Sequence, residues 1–206
     1  MTTITTEHTR IPHFDQTVAT ADALRSNGFT THVVDTGLEA KALVLGMIPH
    51  GSEVFTSTSV TLDETGIADV LNGPDYVSLR NRLHSLMSDP SNKKEMKQTV
   101  ASADFVVASV HAVTNDGKLL IALASGSQLP LAAYGADHVI FVVGTHKLVS
   151  DLEAGVQRIE NHSVPLEDER ALAAYGFNTL FAKLLVLNKE REGRVTVILV
   201  NEPLGY

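Results

Sequence analysis

The sequence predicts an α/β layered fold with a mixed central sheet flanked by helices, and three observations carry that reading. Helical periodicity and strand-length apolar runs alternate through the first hundred residues. Later strands follow one another across turn-forming residues, so local, antiparallel pairing is expected there. The chain has 206 residues, 44% of them apolar, which suffices for a single domain with a substantial core.

Residues 1–13 are polar and expected to be mobile. Val18, Ala21 and Leu24 recur at helical spacing within 14–27, and Gly28 is placed to end that helix in a left-handed cap. "FTTHVV" (29–34) reads as a strand, "LEAKALVLGMI" (38–48) as a helix stopped by Pro49 and Gly51, and "SEVFTS" (52–57) as a short strand. Thr61 and Glu64 have the T-x-x-E spacing of a capping box, opening a helix that reaches Leu71 before "NGPD" breaks it. Residues 75–103 read as two helices divided at Asp89 and Pro90. "DFVVASVHAV" (104–113) and "KLLIALA" (118–124) form a hairpin across Asn115, Asp116 and Gly117. "HVIFVV" (138–143) is a further strand, and helices follow over 151–159 and 165–175. The tail closes with two strands, "KLLVLN" (183–188) and "RVTVILVN" (194–201), across a turn holding Glu192 and Gly193. The nine-residue spacing of Gly117, Gly126, Gly135 and Gly144 accompanies no repeated segment and is coincidence.

Composition excludes several functions. The net charge is −8, from 24 acidic and 16 basic residues, and Lys93, Lys94 and Lys97 make the one dense basic group. A surface that tracks phosphates needs clustered positive charge, so a nucleic-acid partner is not expected. No apolar stretch approaches the roughly 18 residues of a membrane span. The opening "MTTITTEHTRIPHF" lacks the basic start and apolar block of a signal peptide, so a cytoplasmic location is expected. Cysteine is absent, which rules out disulfides, thiol catalysis and cysteine-held iron–sulfur clusters in this chain. The nine histidines form neither H-x-x-H nor H-E-x-x-H, so no metal site and no cofactor is expected from local spacing.

The common nucleotide and hydrolase motifs are missing: no two glycines lie two apart, and neither G-x-x-x-x-G-K-[ST] nor G-x-S-x-G occurs. Two hydroxyl-rich loops remain, each directly after an expected strand. In the first, "TSTSVTLDETG", Thr56 to Ser59 precede a helix start, and two readings stand: ordinary capping by Thr61 and Glu64, or membership of an anion site. The second interrupts an apolar run with Ser125, Gly126, Ser127 and Gln128, supplying hydroxyls, an amide and close backbone approach without an acidic residue. Lys147 follows the strand ending at Val143, where α/β sheets gather ligands. It is a solvated cation, a partner for an anion or, if desolvated, an amine nucleophile. His111, on an apolar run, reads as a core histidine or as an acid–base group.

Taken in order, "IPHGSEV", "STSVTLDETGI", "SVHAVTNDGKLLIALASGSQL" and "VVGTHKLVSDLEAGVQRI" resemble the lactate-utilisation (LUD) domain family over residues 38–159. The tail beginning "YGFNTLF" resembles that family's short, single-domain branch, so residues 1–206 are expected to form one LUD-like domain, similar to the third protein of the bacterial lactate-oxidation system. The resemblance implies a fold similar to the sugar-phosphate isomerase and CoA-transferase group, in which Ser/Thr/Gly loops at strand ends bind phosphorylated sugars or acyl-CoA. The matching positions here are Ser57, Ser59 and Thr61, then Thr114, Asp116 and Gly117, then Ser125, Gly126, Ser127 and Gln128, with Lys147 in the family's G-x-x-K-[IL]-V. Where longer relatives carry E-T-G-T, this chain has "TNDGK", so Asp116 must serve if that segment bears a catalytic acid.

These readings lead to a protein of small organic-acid metabolism that binds an anionic, phosphorylated or CoA-linked ligand between the two loops. The second loop and Lys147 would hold the anionic end, with Glu64 or Asp116 as base or nucleophile. Two alternatives accompany it: a noncatalytic subunit that docks on iron–sulfur partners of a lactate-oxidising complex, and an enzyme similar to the sugar-phosphate isomerases. A homo-oligomer is compatible with each.

Overall fold

The computed structural model describes residues 6–206. Residues 1–5 of the segment expected to be mobile lie outside the described residues, and Thr6–Thr9 form a 3₁₀ turn. The strands are β1 (Thr30–Val34), β2 (Glu53–Thr56), β3 (Val77–Ser78), β4 (Ala103–Ala108), β5 (Ala112–Thr114), β6 (Leu119–Leu123), β7 (Ala136–Gly144), β8 (Leu148–Val149), β9 (Lys183–Leu187) and β10 (Val195–Val200). The helices are α1 (Phe14–Ser26), α2 (Gly37–Met47), α3 (Val60–Glu64), α4 (Ile67–Leu71), α5 (Leu79–Leu86), α6 (Lys93–Thr99), α7 (Leu152–Arg158) and α8 (Val164–Tyr175). A π-helical turn, Ile159–Ser163, joins the last two into one rod.

The central sheet has six strands in the order β1-β10-β7-β4-β2-β3, all parallel. Parallel strands need both faces covered, which is why "HVIFVV" and "VTVILV" are nearly continuous apolar runs. Along β7, Val139, Phe141 and Val143 enter one core, while Ile140 and Val142 enter the core on the other face. Ala40 and Val44 of α2 and Leu62, Ile67 and Leu71 of α3 and α4 cover that second face. The first face packs on α1, through Ala21 and Leu24, and on a second sheet of order β8-β5-β6-β9. The far side of this smaller sheet meets Ile159, Val156 and Val164 of the α7–α8 rod.

The expected α/β class, with helices flanking a central sheet, is the architecture observed. The antiparallel pairing expected within that sheet is collected in the second sheet, where β6 runs antiparallel to β5 and β9. Three local readings need correction. The run "DFVVASVHAV" is two strands: β4 ends at Ala108 in the central sheet, and β5 begins at Ala112 in the smaller one. The two strands of the tail do not pair. β9 joins β6, while β10 inserts between β1 and β7. A turn of hairpin length thus carries a crossing between sheets, held by Arg194, whose guanidinium donates to Ala136 O at 3.1 Å and Ala132 O at 2.9 Å.

The third correction concerns Thr61 and Glu64. The N-cap of α3 is Ser59, without a side-chain cap bond, and the helix breaks after Glu64 because Gly66 takes a left-handed φ of 63° to begin α4. A true capping box lies at Thr36 and Glu39, opening α2.

Candidate active site

The chain crosses from the central to the smaller sheet twice in parallel. One crossing links β4 to β5 through residues 109–111, and the other links β7 to β8 through the 3₁₀ turn Thr145–Lys147. Because β4 pairs with β7 and β5 with β8, the two crossings lie side by side and bring Ser109, His111 and Lys147 together. They border a cavity of about 180 Å³ at the C-terminal ends of β2, β4 and β7. This is where ligands gather in open parallel sheets.

Lys147 is 2% exposed. Its Nζ donates to Thr61 Oγ1 at 3.0 Å and to Ser109 Oγ at 3.2 Å. Those hydroxyls donate onward to main-chain carbonyls, Thr61 to Leu204 O at 3.2 Å and Ser109 to Val110 O at 3.4 Å. No carboxylate pairs with this amine among the described residues. Burial, with the positive Arg158 nearby, brings Lys147 down from 10.5 to about 7 against the weaker pull of Glu64.

Residues 202–206 close over the lysine. Glu202 accepts the Gly37 N–H at 2.9 Å and Glu64 accepts the Gly205 N–H at 2.7 Å. Gly205 has φ 66°, and a Cβ there would stand 2.4 Å from Thr61 Oγ1 and 3.2 Å from Lys147 Nζ. The Tyr206 hydroxyl donates to Glu167, which also receives Arg170 Nε at 2.7 Å and Nη2 at 2.6 Å. Burial raises the Glu167 carboxyl, but the hydrogen bonds from Arg170 and Tyr206 outweigh it and hold the group below the usual range. Burial and the Glu167 carboxylate push the Tyr206 phenol up.

Behind the cavity lies a group of basic side chains. Arg158 is 0% exposed, and it donates to His111 O at 2.8 Å and Ser163 Oγ at 3.1 Å without a carboxylate partner among the described residues. Burial lowers it to about 10, so it stays charged and fixes the backbone of the β4–β5 crossing. His111 accepts the Ala122 N–H on Nδ1 at 3.2 Å, and burial together with Lys147 and Arg158 drives it down to about 3. Its ring is therefore neutral, with the proton on Nε2. His146, beside Lys147, is brought to about 3 by the same causes.

The expected site residues divide into two groups. Ser57, Ser59, Thr61, Gln128 and Lys147 all line the cavity. No hydrogen bond from another described residue engages the hydroxyls of Ser57 and Ser59 or the Gln128 amide. Ser125 and Ser127 bond each other at 3.0 Å beside Gly126, outside the lining. Glu64 is exposed and turned to Gly205. Thr114, Asp116 and Gly117 occupy the β5–β6 turn at the other end of the hairpin. There Asp116 accepts from Thr114 and pairs with Lys118, and these bonds hold its carboxyl low.

Sequence reasoning missed Ser109, Arg158, Glu167, Arg170 and Tyr206. The available signal was Ser109, a polar residue interrupting an apolar run. Among the described residues, the carboxylates on the cavity wall are Asp63, exposed and raised first by burial, and the fully engaged Glu167. Among the described residues no group of three or more His, Asp or Glu side chains could hold a metal. No helix there is long and apolar enough to cross a membrane.

Fold and site together define a class: an α/β protein whose parallel strand ends enclose a small, donor-lined cavity around a buried lysine. A family model for the LUD domain matches residues 19–201, and the chain belongs to that family. Its fold is similar to the crystal structure of a DUF162 family protein from Deinococcus radiodurans, with a TM-score of 0.56 and 13% identity over 93% of this chain and 99% of that one. No curated protein matches the chain.

Proposed function

We propose that this LUD-domain protein binds a small organic acid in the cavity around Lys147, in a lactate-utilisation-related role that its family membership supports. One observation carries the reading: donors left without partners, the hydroxyls of Ser57 and Ser59 and the Gln128 amide, converge with Lys147 where no free carboxylate lies deep in the wall. Ser57 is buried and Ser59 and Gln128 are half-buried at the cavity, and an organic carboxylate supplies acceptors for donors so placed. The volume of about 180 Å³ lies below the roughly 300–1,000 Å³ of pockets that bury drug-sized ligands. It suits a short acid better than a phosphosugar or a whole CoA ester, which leaves the isomerase-like reading with fold analogy alone.

Calorimetric titration of the purified protein with lactate, pyruvate, pentose phosphates and acyl-CoAs tests this. Saturable binding of the short acids is expected. Binding of none, or of pentose phosphates alone, overturns it.

A second reading, a subunit that docks on an iron–sulfur partner, draws on the exposed Leu172 of α8, Leu180 of the following loop and Leu184 of β9, which are 55%, 68% and 38% exposed. Recovery of a stable iron–sulfur partner in a pull-down from native cells is its expected result, and recovery of the chain without one counts against it.

A further inference from the structure

The following rests on the cavity being an organic-anion site, and it names the chemistry done there. We propose that the Nζ amine of Lys147 condenses with the carbonyl carbon of a short 2-oxo acid to form an imine.

The hydrogen bonds around Nζ carry the argument. A tetrahedral amine has three positions besides its bond to Cε. Two point N–H groups at Thr61 Oγ1 and Ser109 Oγ, 3.0 and 3.2 Å away. Each hydroxyl has an acceptor for its own proton, Leu204 O or Ser109 Oγ for Thr61 and Val110 O for Ser109, so both can accept from the lysine. The third position holds a lone pair when the amine is neutral. A buried lysine bonded only to neutral oxygens gives up its proton more readily than one paired with a carboxylate, and this one has two neutral hydroxyls. Its displacement from 10.5 to about 7 agrees with that geometry, since a neutral amine is the nucleophile.

The remaining donors suit the rest of a 2-oxo acid. Ser57, Ser59 and Gln128 serve the carboxylate. The neutral His111, oriented by Ala122 N–H, offers Nε2–H to the carbonyl oxygen. In the reaction a bond forms between Nζ and the carbonyl carbon, and the carbon–oxygen bond breaks. The oxygen departs as water with the two amine protons, so the step balances without an oxidant or reductant.

Trapping with borohydride tests the proposal. The full chain is incubated with pyruvate at neutral pH and reduced, and its peptides are mapped by mass spectrometry. One adduct is expected, on Lys147, with the mass of pyruvate less one oxygen atom. Lactate, which has no keto group, should suppress it by competition, and Lys147→Arg and Lys147→Met should both abolish it. Saturable pyruvate binding by calorimetry with no adduct on Lys147, or with label spread over exposed lysines such as Lys93 and Lys94, overturns imine formation and leaves the anion site standing. If neither pyruvate nor lactate binds, both fall.

Discussion

Replacing Lys147 by methionine should flatten the dependence of stability on pH. The folded protein holds this amine at about 7 against an ordinary 10.5. Below pH 7 both folded and unfolded chains carry the proton, and the folded state bears the full penalty of a buried cation. Between pH 7 and 10.5 the unfolded chain keeps its proton while the folded one has released it. Stability therefore rises with pH across that window, by about 1.4 kcal/mol per unit. From pH 6 to pH 9 the gain from this group is about 2.7 kcal/mol, or roughly 5–10 °C in melting temperature for a domain of this size. Other groups titrate in the same interval, so the informative quantity is the difference between wild type and Lys147→Met in urea denaturation at pH 6, 7.5 and 9. The wild type should gain on the variant at each step. Parallel profiles would mean that Lys147 titrates normally, and the argument for a neutral amine would collapse.

Four other outcomes follow from the same geometry. Arg158→Met removes the positive charge that helps depress Lys147, so the rise of stability with pH should begin at a higher pH in the same denaturation series. Gly205→Ala forces a Cβ into Thr61 at a left-handed φ, and thermal melting should show a loss of about 1–3 kcal/mol. Gln128→Ala should weaken binding of pyruvate by about five- to tenfold, the worth of one hydrogen bond, while Ser127→Ala leaves it unchanged by calorimetry. Asp116→Ala, in the distant hairpin turn, should leave pyruvate affinity as in wild type. A loss there would reinstate Asp116 as part of the site.

Elements whose signal is local were legible in the sequence. The 14–27 periodicity ends where α1 ends, and Asp89 and Pro90 divide α5 from α6 as expected. Strand partners were not legible, because a hairpin and a sheet-to-sheet crossing use the same turn residues. The stretch between β9 and β10 resembles a hairpin connection, yet β10 is claimed by β1 and β7, whose parallel edges bury Val197, Ile198 and Leu199 completely. The two T-x-x-E segments make the same point. Thr36 and Glu39 cap a helix, whereas Thr61, at identical spacing from Glu64, is drawn away by Lys147 and Leu204.

Lys147 itself was visible as a lysine just past a strand end, but its burial was not, since the covering atoms come from Thr61 and Leu204, 86 and 143 residues from their partners in these bonds. The same distance explains why the second hydroxyl loop looked more promising than it is. Ser125 and Ser127 supply the right groups, yet the turn made by Gly126 closes them on each other and leaves Gln128 to face the cavity. A site built where two sheets exchange strands needs both crossings to place its groups: one supplies the half-buried Ser109, the other the buried Thr145, His146 and Lys147. Ser109 and Lys147 meet there. Their contact is a consequence of β4 pairing with β7 while β5 pairs with β8, so a change that slips either register should uncouple the lysine from its hydroxyl before it unfolds the sheet.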